Sequence, residues 1–184
     1  MDDRVVRTSK FMSYVLRHRP QAIGLHLDEQ GWAMVDELIE TAVSHGKTLD
    51  RALINEVVAK NDKKRFAFST DGTKIRASQG HSIPVDLGLT AVNPSPLLFH
   101  GTATKFMESI RQQGLEPRRR HHVHLSADYE TAVKVGSRHG TAVVLQIDAA
   151  QMAADGFDFY LSENGVWLTD VVAPEYFIVV KNRA

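Results

Sequence analysis

The dipeptide Asp71–Gly72 constrains the first half of the chain more than any other feature, because it predicts a tight β-hairpin. It separates "RFAFST" from "TKIRA", two segments in which Phe66, Phe68 and Ile75 alternate with polar or small residues. Asp-Gly between alternating strands is the strongest short-range signal of a two-residue hairpin loop. Such a loop places Phe68 opposite Ile75 on one face. The cationic residues on the other face are then Arg65, Lys74 and Arg76.

A helix that ends in cations is predicted near the start of the chain. The segment "TSKFMSYVLRH" has apolar residues at helical spacing, and Thr8 or Ser9 is the predicted N-cap. Pro20 disfavours helical geometry in the residue before it, so the helix should end near His18. The backbone carbonyls of a helix C-terminus favour cations. Arg17 and His18 therefore fit two explanations at this point, a solvated helix end and a phosphate-binding group.

Two further helices are predicted before the hairpin. "MVDELIETAVSHG" has an apolar stripe that ends at Gly46, and "LDRALINEVVAKN" has a second stripe that Asp50 can cap. Three helices followed by a β-hairpin are typical of a winged-helix lobe. The segment "ASQGHSIPVDLGLTAVNPSPL" contains prolines, glycines and serines and predicts a boundary. We therefore predict two domains, residues 1–90 and 91–184.

The second domain is predicted to be rich in β-strands with helices between them. The predicted strands are "LLFH", "HVHLS", "TAVVLQI" and "YFIVV", with "TAVVLQI" at the centre of the sheet. "FDFYLSENGVWLT" predicts two more strands and a turn at Asn164–Gly165. One helix should end at Gly114, and another should begin after Ser126, which can cap it. The predicted fold class is therefore α+β.

The segment "FHGTA" predicts a ligand site at a strand-to-helix junction. Gly101 would permit close approach of a ligand to the backbone, and His100 precedes it. Helix N-terminal amides and the hydroxyl of Thr102 would then bind phosphate. An ordinary capped turn explains the same residues equally well. The chain has neither GxGxxG nor GxxxxGK[ST], so no Rossmann or P-loop nucleotide site is indicated.

A histidine cluster in "RRRHHVHLS" raises the question of a metal. His121, His122 and His124 are possible zinc ligands, because imidazole binds zinc readily. The chain has no cysteine and no HExxH, and no carboxylate stands at ligand spacing. We therefore predict no metal site and expect one buried histidine and two at the surface.

Composition limits the function classes that remain. Lys plus Arg and Asp plus Glu both number 22, so the chain is not a general basic nucleic-acid binder. A polyanion would have to bind to local clusters such as "LRHRP", "KNDKKRF" and "PRRRHHVH". No apolar run approaches the length of a membrane span, and the N-terminus lacks the apolar core of a signal peptide. We expect a cytoplasmic monomer without a membrane partner.

Several segments together resemble the RNA 2′-phosphotransferase family, called KptA in bacteria. They are "SKFMSYVLRHRPQAIGLHLDEQGWAMVDELI", "KKRFAFSTDGTKIRASQGHS", "LFHGTATKFMESIRQQGL", "RHHVHLSAD" and "ENGVWLT". The resemblance implies an N-terminal winged-helix lobe that binds RNA and a C-terminal lobe with the ADP-ribosyltransferase fold that binds NAD⁺. It implies removal of an internal 2′-phosphate from tRNA-like RNA, with NAD⁺ consumed as co-substrate and no metal. In eukaryotes the family serves tRNA splicing.

The resemblance also implies which residues act. The Arg-His-Arg-Arg catalytic set of the family falls on four positions of this chain, namely Arg17, His18, Arg65 and Arg120. The implied NAD⁺ pocket consists of His100, Gly101, Thr102, His124, Ser126, Asn164, Gly165 and Val166.

Two other functions stay open from the sequence. An ADP-ribosyltransferase that modifies protein or nucleic-acid ends is one. Protein-modifying members of that class use a glutamate where this chain has Val166, although Glu163 lies three residues earlier. A non-enzymatic winged-helix binder of nucleic acid is the other, but it has no use for "FHGT" and "HVHLS".

Overall fold

A computed structural model describes residues 3–180 of the chain. The chain divides into two compact units, the first reaching to Gly88 and the second beginning at Leu89. Both contain helices and strands, so the mixed helix-and-sheet class predicted from the sequence is confirmed. Within the described residues, no helix combines the length and the apolar character that a membrane crossing requires.

Among the residues described, 3–88, the first unit contains three α-helices and a three-stranded antiparallel sheet. Its elements are α1 (Asp3–Arg17), a 3-10 helix (Pro20–Ala22), β1 (Ala33–Met34), α2 (Val35–Ser44), α3 (Arg51–Ala59), β2 (Phe66–Phe68) and β3 (Lys74–Ala77). The strand order is β1-β3-β2, and Phe68 pairs with Ile75. The hairpin register predicted from Asp71–Gly72 is therefore confirmed. The two-residue strand β1 was not foreseen from the sequence.

The helix boundaries of the first unit follow local signals at most ends. The Asp50 side chain accepts a hydrogen bond from the Leu53 amide and caps α3, as predicted. The predicted N-cap of α1 is wrong, because Thr8 and Ser9 lie inside a helix that begins at Asp3. Val5 is only 2% exposed, so the apolar stripe of the helix reaches one turn further back than the sequence pattern suggested.

The core of the first unit joins its helices to the hairpin. Met12 and Leu16 of α1, Ile54 of α3 and Ile75 of β3 are fully buried in one apolar cluster. Burying side chains of this size contributes roughly 1.5–3 kcal/mol each. This packing fixes the C-terminal end of α1 relative to β2 and β3.

The described part of the second unit, residues 89–180, contains two three-stranded sheets and three α-helices. Its elements are β4 (Leu97–Ala103), a 3-10 helix (Thr104–Phe106), α4 (Met107–Gln113), β5 (Val123–Leu125), α5 (Tyr129–Gly136), β6 (Ala142–Asp148), α6 (Ala149–Ala154), β7 (Tyr160–Leu161), β8 (Trp167–Thr169), a 3-10 helix (Pro174–Tyr176) and β9 (Phe177–Val180). The strand orders are β4-β6-β9 and β5-β8-β7. The predicted central position of β6 is thus confirmed. The helix α6 was not foreseen.

The residue that follows β5 links the two sheets instead of capping a helix. The amides of Ser126 and Phe99 each donate to the carbonyl oxygen of the other, at 2.7 and 2.9 Å. The side chain of Asp128 caps α5 by accepting a hydrogen bond from the Thr131 amide at 2.7 Å. The prediction that Ser126 caps this helix is therefore wrong, because Ser126 is bridged to Phe99 and the cap lies two residues later.

Gly101 lies in the middle of a strand and not at a strand-to-helix junction. His100, Gly101 and Thr102 all belong to β4, so no helix N-terminus presents its amides there. A Cβ atom built on Gly101 would overlap the carbonyl oxygen of Ala132, and one built on Gly136 would overlap the carbonyl oxygen of Thr102. Glycine is required here because the backbone of α5 lies directly on β4. The close approach that requires glycine at this position is therefore that of α5.

Candidate active site

Arg17 and His18 lie where α1 stops. The amides of His18 and Arg19 both donate to the Tyr14 carbonyl, at 3.1 and 3.0 Å, and Pro20 begins a separate 3-10 turn. The predicted helix end is confirmed. The Arg17 side chain is half-buried and His18 is exposed. The Arg17 side chain therefore lies on the side of the helix that packs against the protein, and the His18 side chain lies on the solvent-exposed side.

The side chain of Arg17 reaches the strand that starts the hairpin. Its Nη2 atom donates to the backbone carbonyl of Arg65 at 3.4 Å. The Arg65 guanidinium donates in turn to Oδ1 of Asn61 at 3.3 Å. Asn61 is only 8% exposed and follows α3 closely, so its amide offers a fixed acceptor. Each of the two guanidinium groups therefore has an uncharged hydrogen-bond acceptor as a partner.

Residues 78–82, here called the strap, connect these groups. At one end the Ser78 amide donates to the Arg65 carbonyl at 2.8 Å. At the other end the Ser82 amide donates to the Arg17 carbonyl at 3.0 Å, and its Oγ lies 2.9 Å from Nδ1 of His18. The structure thus brings Arg17, His18 and Arg65 together within the first unit. Asn61 and Ser78 were not predicted from the sequence, whereas "QGHS" (residues 79–82) fitted either a flexible loop or a set of donors for a ligand.

In the second unit, two of the predicted NAD⁺-pocket residues contact each other between β4 and β5. Nδ1 of His100 lies 2.9 Å from the backbone carbonyl oxygen of His124. A carbonyl only accepts, so Nδ1 carries the proton and Nε2 of the neutral ring is an acceptor. Burial lowers the pKa of His100, the carbonyl of His124 opposes this shift, and the charge of Arg120 adds to it. The imidazole is therefore neutral at physiological pH.

Arg120 sets the opposite tautomer in His124. Its Nη1 lies 3.0 Å from Nδ1 of His124, and a guanidinium can only donate. Nδ1 of the neutral His124 ring is then the acceptor, and Nε2 carries the proton. The two histidines therefore differ: His100 has an accepting Nε2 and His124 has a donating Nε2. A donor and an acceptor on adjacent strands suit the hydroxyl groups of a ribose.

The remaining predicted residues of the pocket lie in two other places. Gly101 and Thr102 are buried beneath α5, and Thr102 is 5% exposed. Asn164 and Gly165 form the predicted turn between β7 and β8. That turn is held by Ser162, whose hydroxyl donates to Oδ1 of Asn164 at 2.7 Å and is 3.0 Å from the Val166 amide. Ser162 is 3% exposed and was missed from the sequence.

Val166 and Ser126 occupy the same end of a strand pair. Leu125 pairs with Trp167 in the antiparallel β5–β8 ladder. Because the strands are antiparallel, the residue after Leu125 and the residue before Trp167 lie at the same end of this ladder. Ser126 and Val166 therefore both adjoin its last residue pair, although 40 positions separate them in the printed sequence.

The histidine cluster gives no metal centre among residues 3–180, where no group of three or more His, Asp or Glu side chains has metal-binding geometry. His122 lies 3.7 Å from Asp170 and packs against the ring of Tyr160. Burial lowers the pKa of His122, and Asp170 opposes this shift. His121 is exposed and the other two are half-buried, so the expectation of one buried histidine is wrong.

Comparison with known proteins assigns the chain to a family of enzymes. The model of the RNA 2′-phosphotransferase, Tpt1/KptA family matches residues 3–171. The chain therefore belongs to this family, as the resemblance in the sequence implied.

Curated relatives match over nearly the whole chain. A protein of Acaryochloris marina named probable RNA 2′-phosphotransferase is 56% identical, over 98% of this chain and 100% of its own length. Proteins with the same name from Agrobacterium fabrum and Pseudomonas fluorescens are each 59% identical, over 94% of this chain and 92% and 96% of their own lengths.

Proposed function

We propose that this chain removes an internal 2′-phosphate from RNA and transfers it to NAD⁺. The observation that carries the proposal is the cluster of Arg17, His18 and Arg65, joined through the strap in a chain that belongs to the RNA 2′-phosphotransferase family. Guanidinium groups present planar forks of donors that suit phosphate oxygens.

The proposed reaction has two steps. An oxygen of the RNA 2′-phosphate attacks the anomeric carbon of the nicotinamide ribose, the bond to nicotinamide breaks, and nicotinamide leaves. The neighbouring ribose 2″-hydroxyl then attacks the phosphorus, and the bond from phosphorus to the RNA 2′-oxygen breaks. The proton lost by the hydroxyl is balanced by the one that the RNA oxygen gains. The products are 2′-OH RNA and ADP-ribose 1″,2″-cyclic phosphate.

Positive charge is the main requirement of this chemistry. The transferred group carries negative charge on its phosphoryl oxygens in both steps, and fixed donors stabilise that charge without reorganising. Arg17, Arg65 and Arg120 are the proposed donors. His18 is proposed either to bind the phosphate as imidazolium or to move a proton in the second step.

The second unit is the proposed site of NAD⁺. His100 and His124 offer an acceptor and a donor to the ribose hydroxyls, and Ser126, Gly101 and Thr102 adjoin them on β4 and after β5. The turn of Asn164, Gly165 and Val166 is proposed to complete the pocket. NAD⁺ supplies the electrophilic anomeric carbon and is consumed as a co-substrate. The pocket residues therefore do not have to regenerate it.

The two units are proposed to correspond to the two lobes of the family. The order α1, β1, α2, α3, β2, β3 supports a winged-helix lobe that binds RNA in domain 1–90. The paired three-stranded sheets support an ADP-ribosyltransferase-like lobe in domain 91–184. We further propose that the enzyme acts as a cytoplasmic monomer on tRNA-like RNA.

Nicotinamide release tests the proposal directly. NAD⁺ is incubated with the protein and an oligoribonucleotide that carries one internal 2′-phosphate, or with the same oligonucleotide without it. We expect nicotinamide, 2′-OH RNA and the cyclic phosphate only with the 2′-phosphorylated RNA. Release with both oligonucleotides, or with neither, would contradict the assignment.

A further inference from the structure

We propose that Ser82 is a positioning residue that sets the orientation of the His18 ring. This inference rests on the proposed function of His18. The Oγ atom of Ser82 lies 2.9 Å from Nδ1 of His18, and the amide of the same serine donates to the Arg17 carbonyl at 3.0 Å. One residue of the strap therefore holds both members of the arginine–histidine pair.

The hydrogen bond assigns different tasks to the two ring nitrogens. The Ser82 hydroxyl can accept from Nδ1–H or donate to an unprotonated Nδ1, so it holds Nδ1 in either tautomer and leaves the proposed chemistry to Nε2. In the imidazolium both nitrogens carry protons, and the hydroxyl oxygen then accepts from Nδ1–H. The ring can then gain and lose a proton without turning, which a group that binds phosphate or transfers a proton requires.

A second histidine of the same unit shows what a different partner would do. Nδ1 of His26 lies 2.7 Å from the carboxylate of Glu37; burial raises the pKa of Glu37, but its hydrogen bonds to His26 and the charge of His26 outweigh this and lower it. A carboxylate holds the imidazole ring through charge and favours its protonated form. The neutral hydroxyl of Ser82 orients His18 without adding negative charge beside a phosphate-binding group.

Buried contacts of the strap fix the position of the Ser82 hydroxyl next to His18. The Ser78 hydroxyl donates to the Lys64 carbonyl at 2.8 Å, and the Ser78 residue is 4% exposed. Gly80 lies against the Arg17 guanidinium, so that a Cβ atom there would be 3.6 Å from Nη1, and its φ of +87° favours glycine. The position of Ser82 is therefore set by buried contacts on both sides of the arginine.

The test combines a spectroscopic signature with kinetics. The ¹⁵N chemical shifts of the His18 ring report the hydrogen bonding of Nδ1 in wild type, Ser82→Ala and Ser82→Thr, with His18→Ala to identify the signal. We expect the Nδ1 shift of a hydrogen-bonded nitrogen in wild type and in Ser82→Thr, which keeps a hydroxyl, and a changed Nδ1 shift in Ser82→Ala. An unchanged Nδ1 shift in Ser82→Ala would overturn the proposal.

The kinetic arm uses the 2′-phosphorylated oligonucleotide. Ser82→Ala should lower kcat roughly 10- to 100-fold, the range found when a group that orients a functional histidine is removed, with less change in KM. Ser82→Thr should restore kcat. A fall that threonine does not restore, or a change in KM alone, would contradict a positioning role.

Ser78→Ala is the matched control for damage to the strap. It removes a buried hydroxyl from the same segment, so its melting temperature should fall while the His18 Nδ1 shift stays as in wild type. If Ser78→Ala changes the Nδ1 shift as much as Ser82→Ala does, the strap acts only as a scaffold and the proposal is wrong. Should wild type fail to turn over 2′-phosphorylated RNA, the proposed function fails, whereas the Nδ1 shift still decides the Ser82–His18 contact.

Discussion

Nδ1 of His100 lies 2.9 Å from the backbone carbonyl oxygen of His124, so one hydrogen bond joins β4 to β5 and fixes the tautomer of a half-buried imidazole. The neighbouring Ser126–Phe99 bridge makes the same connection through the backbone. The His100 side chain therefore combines two tasks that substitutions can separate. Nδ1 contributes to the fold, and Nε2 is the atom proposed to bind NAD⁺.

Replacing His100 with Asn or with Gln separates these tasks. The amide nitrogen of Asn can occupy the place of Nδ1 and keep the bond to His124, but nothing replaces Nε2. We expect His100→Asn to melt close to wild type and to bind NAD⁺ about 10-fold more weakly, the worth of one hydrogen bond. His100→Gln should lose about 1–3 kcal/mol of stability, because the carbonyl is left without its donor. Calorimetric NAD⁺ binding and thermal unfolding check both, and wild-type NAD⁺ affinity in His100→Asn would remove this residue from the pocket.

Replacing Arg17 or Arg65 with Ala should lower kcat for 2′-phosphate removal by on the order of 10² to 10³, the cost of losing one fixed donor to a charged transition state. The measurement is formation of 2′-OH RNA under saturating NAD⁺. Arg7→Ala is the matched control, because Arg7 lies on the same helix with a side chain 73% exposed and pairs with Asp3. It should have wild-type activity, and normal turnover in Arg17→Ala or Arg65→Ala would contradict the site assignment.

Arg120→Ala should slow the second step more than the first. Only the second step adds transient charge at the phosphate, so the RNA–phospho–ADP-ribose intermediate should accumulate. Mass spectrometry of the RNA during a single turnover detects the attached ADP-ribose. Equal slowing of nicotinamide release and of 2′-OH formation, without the intermediate, would show that Arg120 has no special role in that step.

Gly101→Ala should be severely destabilising. The added methyl would overlap the Ala132 carbonyl, and backbone cannot move aside as a flexible side chain can. We expect a loss of about 3 kcal/mol or more, at the upper end of overpacking effects. Gly24→Ala is the control: a Cβ there meets nothing within 4 Å, and only the backbone strain of its φ of +68° remains. Urea unfolding compares the two, and similar losses would mean that α5 can move away from β4.

Local chemistry accounts for the features that the sequence predicted correctly. The Asp71–Gly72 turn, the Asp50 cap and the helix end before Pro20 each depend on residues within a few positions of one another. Ser82 and His18 are 64 positions apart, and no pattern in the sequence indicates that their side chains meet. Asn61, Ser78 and Ser162 were missed for a related reason, because a serine or an asparagine in a loop is ordinary until its partner is known.

The errors arose where tertiary contacts extend an element beyond its local signal. The strand β4 continues through Gly101 because it pairs with β6 along its whole length, from Leu97 to Ala103. Ser126 stays extended because it bridges to Phe99. A glycine followed by threonine is read from sequence as a turn, and only the neighbouring strand shows otherwise.

The contacts of Gly101 and Gly136 also determine where the second unit tolerates an insertion. Gly101 meets Ala132 and Gly136 meets Thr102, so α5 is pinned to β4 at two points one helical turn apart. A helix held in this way can neither slide nor rotate when the chain beyond it changes. The exposed residues 137–141 are therefore a suitable place to insert a fluorescent label or an affinity tag without displacing His100.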